Sequence, residues 1–179
     1  MEFEQARRRL IATYEAGELV PFLGAGMSVP SCADWPGFID GLEQRAEIST
    51  ADSDTDPAAL IRRANRAVRT LKLRDHEAFP AAVSAALIGS RDGMPPQTRA
   101  LANTWWPLVL TTNYDAHFFQ AFRAAHPKSG MSVRGRAPRD CQDVLSSLTA
   151  PSDPILWTLQ GFLGQVRDEE EVRRRRLAT

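Results

Sequence analysis

A short apolar segment that runs into glycine and ends in a hydroxyl is the first part of this sequence that could do chemistry. Residues 19–23 are apolar, and the string Gly24-Ala25-Gly26-Met27-Ser28 follows them directly. Because glycine has no Cβ, such a turn lets backbone N–H groups approach a diphosphate closely. The dinucleotide fingerprint is incomplete, since Val29-Pro30 stands where a third glycine is expected. A tight strand-to-helix turn without any ligand fits the same residues equally well.

Polar side chains follow a second apolar segment in the same way. Residues 107–112 read as a strand, and Thr111-Thr112-Asn113-Tyr114-Asp115 ends it. Ligands of open α/β sheets bind beyond the carboxyl ends of the strands, which places Asn113 and Asp115 at the mouth of the sheet. The carboxamide can hold a water or a ribose hydroxyl there, and the carboxylate can accept from ribose hydroxyls. Asp115 can equally be the N-cap of the next helix, with Asn113 supporting a turn.

A third strand, residues 154–159, runs into Leu159-Gln160-Gly161. Together the three segments, with Trp35 after the first, resemble the sirtuin-like domains of bacterial NAD hydrolases, many of which act in antiphage defence. The resemblance spans residues 19–161 in order and spacing.

The resemblance implies a Rossmann-like domain with a helical insertion at about residues 36–104, all within one domain of 179 residues. It implies that NAD is substrate or ligand, with Gly24, Ala25, Gly26 and Ser28 holding its diphosphate. Asn113 would lie beside the nicotinamide ribose and position the attacking water. Asp115 and Thr112 would complete the binding site.

Gln160 departs from the family pattern, because the resemblance places the catalytic histidine at this position. Glutamine cannot take a proton near neutral pH, although it can hydrogen-bond a hydroxyl. Loss of a general base costs roughly 100- to 10,000-fold in rate, so we expect impaired hydrolysis. Whether Gln160 is natural or engineered stays open. Surface or packing roles are expected for each of the three histidines, His76, His117 and His126, and His117 is the one that lies close to the motif.

The elements that must position these residues alternate between strands and helices, which predicts a parallel α/β sheet flanked by helices. Ser49 to Asp56 and residues 126–139 are predicted as loops, and residues 144–148 as a helical turn. The other helices are predicted at residues 3–14, 34–46, 57–73, 76–88, 95–105, 116–125 and 167–177. Since only 18 residues follow Gly161, we expect either a fragment or a sheet edge that a partner covers.

Composition and charge exclude several classes of function. The formal net charge is +0, which gives no global attraction to nucleic acid, and the arginines of the last helix are balanced by glutamates four residues earlier. The chain has 2 cysteines, too few for a four-cysteine zinc ribbon, so no zinc is expected and protein deacylation is disfavoured. No apolar run approaches the roughly 18 residues of a membrane span, and no apolar signal region begins the chain. We therefore expect a cytoplasmic protein.

Two functions remain in view from the sequence. The first is an NAD hydrolase of the sirtuin-like type, weakened by Gln160. The second is a non-catalytic subunit of a defence complex that senses NAD or ADP-ribose or only provides a scaffold. Either is expected to work as a homo-oligomer or with a partner defence protein.

Overall fold

Four parallel strands form the sheet in the computed structural model, which describes residues 2–49, 56–74, 78–89, 93–149 and 153–163. The strands are β1 (Phe22–Leu23), β2 (Leu108–Thr111), β3 (Ser132–Arg134) and β4 (Ile155–Thr158), in the spatial order β1-β2-β4-β3. Helices lie between them in sequence, so the predicted α/β fold with a parallel sheet is confirmed.

The helices of the described chain are α1 (Glu2–Glu15), α2 (Trp35–Ala46), α3 (Pro57–Arg74), α4 (Ala78–Ala86), α5 (Pro96–Ala102), α6 (His117–Ala125) and α7 (Pro138–Thr149). Helices α1 to α6 each overlap a predicted helix. The start of α2 has a simple local cause, because the Asp34 carboxylate accepts from the Gly37 N–H at 2.9 Å and Pro36 lies in the first turn. None of the helices in the described ranges is long and apolar enough to cross a membrane.

The two central strands carry the site at their carboxyl ends. β2 and β4 are paired in register, with Leu110 opposite Trp157 and Thr111 opposite Thr158. Val109 and Leu156 are fully buried between the helix layers. Apolar burial on both faces is typical of parallel strands, and it explains why these two strands were recognisable in the sequence.

The edge strands differ from their predictions. Residues 19–23 were expected to form a buried strand, but only Phe22 and Leu23 pair with β2, and Phe22 is 63% exposed because β1 lies at the sheet edge. The predicted loop at residues 126–139 is wrong in part, since it contains β3. That strand is short and half-buried, and Val133 pairs with Leu156. The predicted turn at residues 144–148 is a full helix, α7.

The buried side chains form two main cores. One lies between the sheet and α5 and α6, and includes Val109, Phe118 and Phe122. The other joins α2, α3 and α4, the helices that follow β1, and its members include Ile39, Leu42, Leu60, Leu71 and Val83. Ile61 of α3 is 55% exposed and is not part of this core.

A buried ion pair lies inside the α2–α4 core. Glu43 of α2 is fully buried and accepts from Arg63 of α3, with Nη2 at 2.7 Å and Nε at 3.1 Å from Oε2. Arg66 donates to the other carboxylate oxygen at 3.1 Å, and Arg63 also bonds Asp40. Hydrogen bonding from Arg63 is the main cause that holds the pKa of Glu43 below its usual range.

The connection after α4 closes tightly on the segment that follows the glycine turn. Gly89 donates to Ser31 O at 3.1 Å, and Ala33 donates to Leu87 O at 3.0 Å. A Cβ at Gly89 would lie 2.1 Å from Pro30 O, so only glycine fits this approach of two backbones. This contact fixes the loop that carries Cys32.

The predicted helix at residues 167–177 and His76 lie outside the described residues, as does most of the predicted loop from Ser49 to Asp56.

Candidate functional site

A pocket lies where β1, β2 and β4 end, at the edge of the sheet predicted from sequence. Its cavity measures about 150 Å³. A cavity near 150 Å³ holds roughly one benzene-sized ring, so a larger ligand would extend beyond it. Six of the predicted site residues line the pocket: Ala25, Ser28, Thr112, Asn113, Asp115 and Gln160.

A chain of hydrogen bonds ties the glycine turn to the end of β2. Asn113 Nδ2 donates to Gly24 O at 3.0 Å and to Ser28 Oγ at 2.9 Å. Ser28 Oγ in turn donates to Asp115 Oδ2 at 2.6 Å, and Ser28 is only 3% exposed. The residues chosen from sequence as a site are therefore joined in one polar network.

The network also fixes how the Asn113 carboxamide points. The Gly24 carbonyl can only accept, so the nitrogen of Asn113 must face it. Asn113 Oδ1 accepts from no residue of the described chain, although Asn113 lines the pocket. This oxygen is the group that can accept a hydrogen bond from a water or a sugar hydroxyl.

The glycine segment forms a single 3₁₀ turn, Ala25–Met27, instead of the start of a long helix. Gly24 has φ −117° and ψ −178°, an extended conformation open to any residue. A Cβ at Gly24 or Gly26 would meet no atom within 4 Å. The fold itself therefore does not require glycine at either position. Neither glycine lines the pocket: Gly24 O binds Asn113, and Gly26 O accepts from Gln97 at 3.1 Å.

Aromatic rings form one wall of the pocket. Trp35 and Phe38 stack with centroids 5.8 Å apart, and Phe38 and Tyr114 stack at 6.1 Å. All three line the pocket. Burial raises the pKa of Tyr114, so its phenol stays neutral. A row of stacked rings is suited to a planar heterocycle.

Gln160 lies at the rim, two residues after the end of β4, and is exposed. The following residues hold it near the wall: Gly161 adopts φ +112°, and Leu163 N donates to Tyr114 O at 2.8 Å. The side chain of Gln160 makes no hydrogen bond within the described ranges. The pocket thus has a carboxamide at the position where the resemblance implies a base.

Cys32 and His117 meet Asp115 beside the network. His117 Nδ1 lies 3.0 Å from Asp115 Oδ1 and 3.6 Å from Cys32 Sγ. Asp115 Oδ1 also accepts from the His117 backbone N–H at 2.9 Å, which confirms it as an acceptor at the start of α6, although Ala116 is the N-cap. Burial is the main cause that raises the pKa of Cys32 to about 12, and the charge of Asp115 is the second cause. The thiol therefore stays protonated near neutral pH and is not a nucleophile.

The arrangement of Cys32, His117 and Asp115 is not that of a catalytic triad. In a triad the imidazole binds the nucleophile through one nitrogen and the carboxylate through the other. Here both contacts fall on Nδ1 of His117. His126 has no part in the site, because its Nε2 lies 3.0 Å from Ala102 O and its ring packs on Trp105 and Phe122.

Sequence reasoning missed several residues that line the pocket. Cys32, Asp34 and Phe38 come from the loop and helix after the glycine turn, and Leu87 comes from the end of α4. Phe38 is buried on α2 and also lines the pocket. In the sequence, Cys32 could be noticed only because cysteine is a residue type that is usually buried and here lies in a polar loop.

The chain matches none of the protein-family models against which it was compared, and a search of curated proteins finds no match either. The family resemblance therefore rests on the motif residues and stays a prediction.

Proposed function

We propose that this chain binds NAD in the pocket and is a sirtuin-like NAD hydrolase of bacterial antiphage defence whose hydrolytic step is impaired by Gln160. One observation carries the proposal: Asn113, Ser28 and Asp115 join the glycine turn to the end of β2 around an aromatic-walled pocket.

The size of the pocket supports a particular orientation. The cavity of about 150 Å³ has room for about one ring, and its wall of Trp35, Phe38 and Tyr114 suits nicotinamide. The diphosphate would then lie over the glycine turn, in the open space beside Gly24 and Gly26. The ribose between them would lie near Asn113 Oδ1.

The reaction expected of such a site is hydrolysis of the bond between nicotinamide and ribose. This bond breaks with oxocarbenium character, so orientation and electrostatics can lower much of the barrier. Asn113 Oδ1 can orient the water, but a carboxamide does not remove its proton. Gln160 can hold a ribose hydroxyl without accepting a proton from it. The site therefore favours binding over turnover.

Replacing Gly24 by alanine tests the proposal, because the fold tolerates this change and the proposed ligand does not. Extended backbone at φ −117° accepts alanine, and such a change raises stability by about 0.4–1 kcal/mol. The new methyl group would occupy the space assigned to the diphosphate. We expect affinity for ADP-ribose to fall by about 1–3 kcal/mol, or roughly 5- to 150-fold in Kd, measured by calorimetric titration.

Gly89→Ala is the matched contrast for that measurement. Its Cβ would lie 2.1 Å from Pro30 O, so thermal unfolding should occur at a lower temperature, whereas Gly24→Ala should unfold at or above the wild-type temperature. Unchanged ADP-ribose affinity in a well-folded Gly24→Ala protein would contradict the assignment of the diphosphate.

A non-catalytic role is the second candidate, and Gln160 is the observation that favours it. Such a subunit would bind NAD or ADP-ribose as a sensor, or serve only as a scaffold. A stable complex with NAD without release of nicotinamide would indicate a sensor, and binding of neither nucleotide would leave the scaffold.

Partners belong to the proposal as well. We place the chain in the cytoplasm as a homo-oligomer or in complex with a partner defence protein. The exposed Phe22 on edge strand β1 supports this, because it leaves apolar surface at an unpaired sheet edge, and Phe3 and Leu10 on α1 are exposed as well.

A further inference from the structure

We propose that Cys32, Asp115 and His117 form a binding site for one divalent transition-metal ion, with zinc as the preferred ion. The three side chains come from two segments distant in sequence, and one ligand atom from each lies within 4.8 Å of the others. Nothing in this proposal depends on nucleotide binding.

Two of the three distances between the ligand atoms are close to those around tetrahedral zinc, and the third, from Cys32 Sγ to the Asp115 carboxylate, is within 4.8 Å. With Zn–S near 2.3 Å and Zn–N or Zn–O near 2.0–2.1 Å, tetrahedral angles separate sulfur from nitrogen by about 3.6 Å and nitrogen from oxygen by about 3.3 Å. The observed separations are 3.6 Å from Cys32 Sγ to His117 Nδ1 and 3.0 Å from that nitrogen to Asp115 Oδ1. An ion can therefore contact all three atoms with small side-chain adjustments.

The donor chemistry points to zinc instead of magnesium or calcium. Thiolate and imidazole are ligands of zinc and similar ions, whereas the two hard cations take oxygen ligands. Metal binding would displace the proton of the Cys32 thiol to solvent, and the resulting thiolate and the Asp115 carboxylate together carry two negative charges, which one divalent ion neutralises. Nδ1 of His117 supplies its lone pair when the ring is neutral.

Neighbouring contacts already hold the ligands in place. Asp115 Oδ2 accepts from Ser28 Oγ at 2.6 Å, which leaves Oδ1 directed to His117. Cys32 N donates to Ser28 O at 2.8 Å, and an isolated bridge pairs Cys32 with Ile88. Such outer partners orient the ligands of metal sites and raise their affinity.

Cys32 and Asp115 also line the pocket, so the fourth coordination position would face it. Three protein ligands and one open position distinguish sites that bind water or a ligand from closed structural sites. The expectation of no zinc from the sequence concerned a four-cysteine ribbon, and this mixed site is of a different kind. The competing arrangement is a hydrogen-bonded cluster in which the thiol and the imidazole both donate to Asp115.

Titration of the metal-free full chain with Co²⁺ alone, and then with Zn²⁺, tests the site. We expect one Co²⁺ per chain, a thiolate-to-cobalt charge-transfer absorption, and displacement by one equivalent of Zn²⁺. Cys32→Ser should lose the charge-transfer band. His117→Ala should weaken binding by at least the roughly 10- to 100-fold that loss of an outer partner costs. Cys141→Ser is the matched control and should behave as wild type, because Cys141 is the other free cysteine and lies on α7.

X-ray absorption of the wild-type zinc protein gives a second readout, which does not depend on whether a variant folds. It should show one sulfur and two or three nitrogen or oxygen ligands. Absence of stoichiometric metal uptake by wild type would overturn the proposal and leave the hydrogen-bonded cluster. A charge-transfer band that persists in Cys32→Ser but disappears in Cys141→Ser would also overturn it.

Discussion

Replacing Gln160 by histidine is expected to raise the rate of NAD cleavage by roughly 100- to 10,000-fold, the usual contribution of a positioned general base. Gln160 lies at the rim of the pocket with its side chain exposed, so an imidazole fits without displacing a buried group. The measurement is release of nicotinamide from NAD by the purified chain.

The pH dependence separates a true base from a mere change in binding. Activity of Gln160→His should rise as the imidazole loses its proton, near the ordinary histidine pKa of about 6.5. Gln160→Asn is the matched control, since it keeps a carboxamide and gains no base. Equal turnover in the two variants, with NAD bound by both, would contradict the role assigned to position 160.

Replacing Arg63 by methionine is expected to destabilise the protein by about 3 kcal/mol, toward the low end of the 3–5 kcal/mol that breaking a buried ion pair costs. Glu43 is fully buried and would lose its main donor, while Arg66 at 3.1 Å would retain one bond. Denaturant unfolding measures the loss directly.

The effect of pH on stability should differ between the wild type and this variant. In the wild type the pKa of Glu43 is lowered, so its contribution is present above the unfolded-state pKa and is lost as pH falls through the folded-state pKa. In Arg63→Met the buried carboxyl has less to hold its charge, so the deficit relative to wild type should shrink in acid.

A double variant provides the control. Glu43→Met with Arg63→Met removes both buried charges and should recover most of the stability, because apolar replacements of buried pairs are often neutral or stabilising. If the single variant is as stable as wild type at neutral pH, the ion pair does not hold α2 and α3 together as described.

How much could be predicted from sequence depended on how local the cause was. The start of α2 follows from Asp34 and Pro36, and β2 and β4 follow from apolar runs that end in polar residues. β3 was missed because Ser132-Val133-Arg134 carries no pattern of its own, and it forms only where β4 offers a free edge. The burial of Glu43 was likewise not visible, since it depends on Arg63 from another helix.

In the candidate site, too, some features could be predicted from the sequence and others depend on tertiary contacts. Ser28, Asn113 and Asp115 were chosen because residues after parallel strands gather at one sheet edge, and the structure brings them into hydrogen-bond contact. The contact of Cys32 with His117 could not be predicted, because the close backbone approach at Gly89 sets it. The volume of the pocket could not be predicted either, because it depends on how the helices and strands pack.

A crystal structure of the chain grown with NAD tests the central claim most directly. We expect the nicotinamide ring against Trp35, Phe38 and Tyr114, a ribose hydroxyl or water at Asn113 Oδ1, and the diphosphate over Gly24 and Gly26. An empty pocket at saturating NAD, or a nucleotide bound on another surface of the chain, would contradict it.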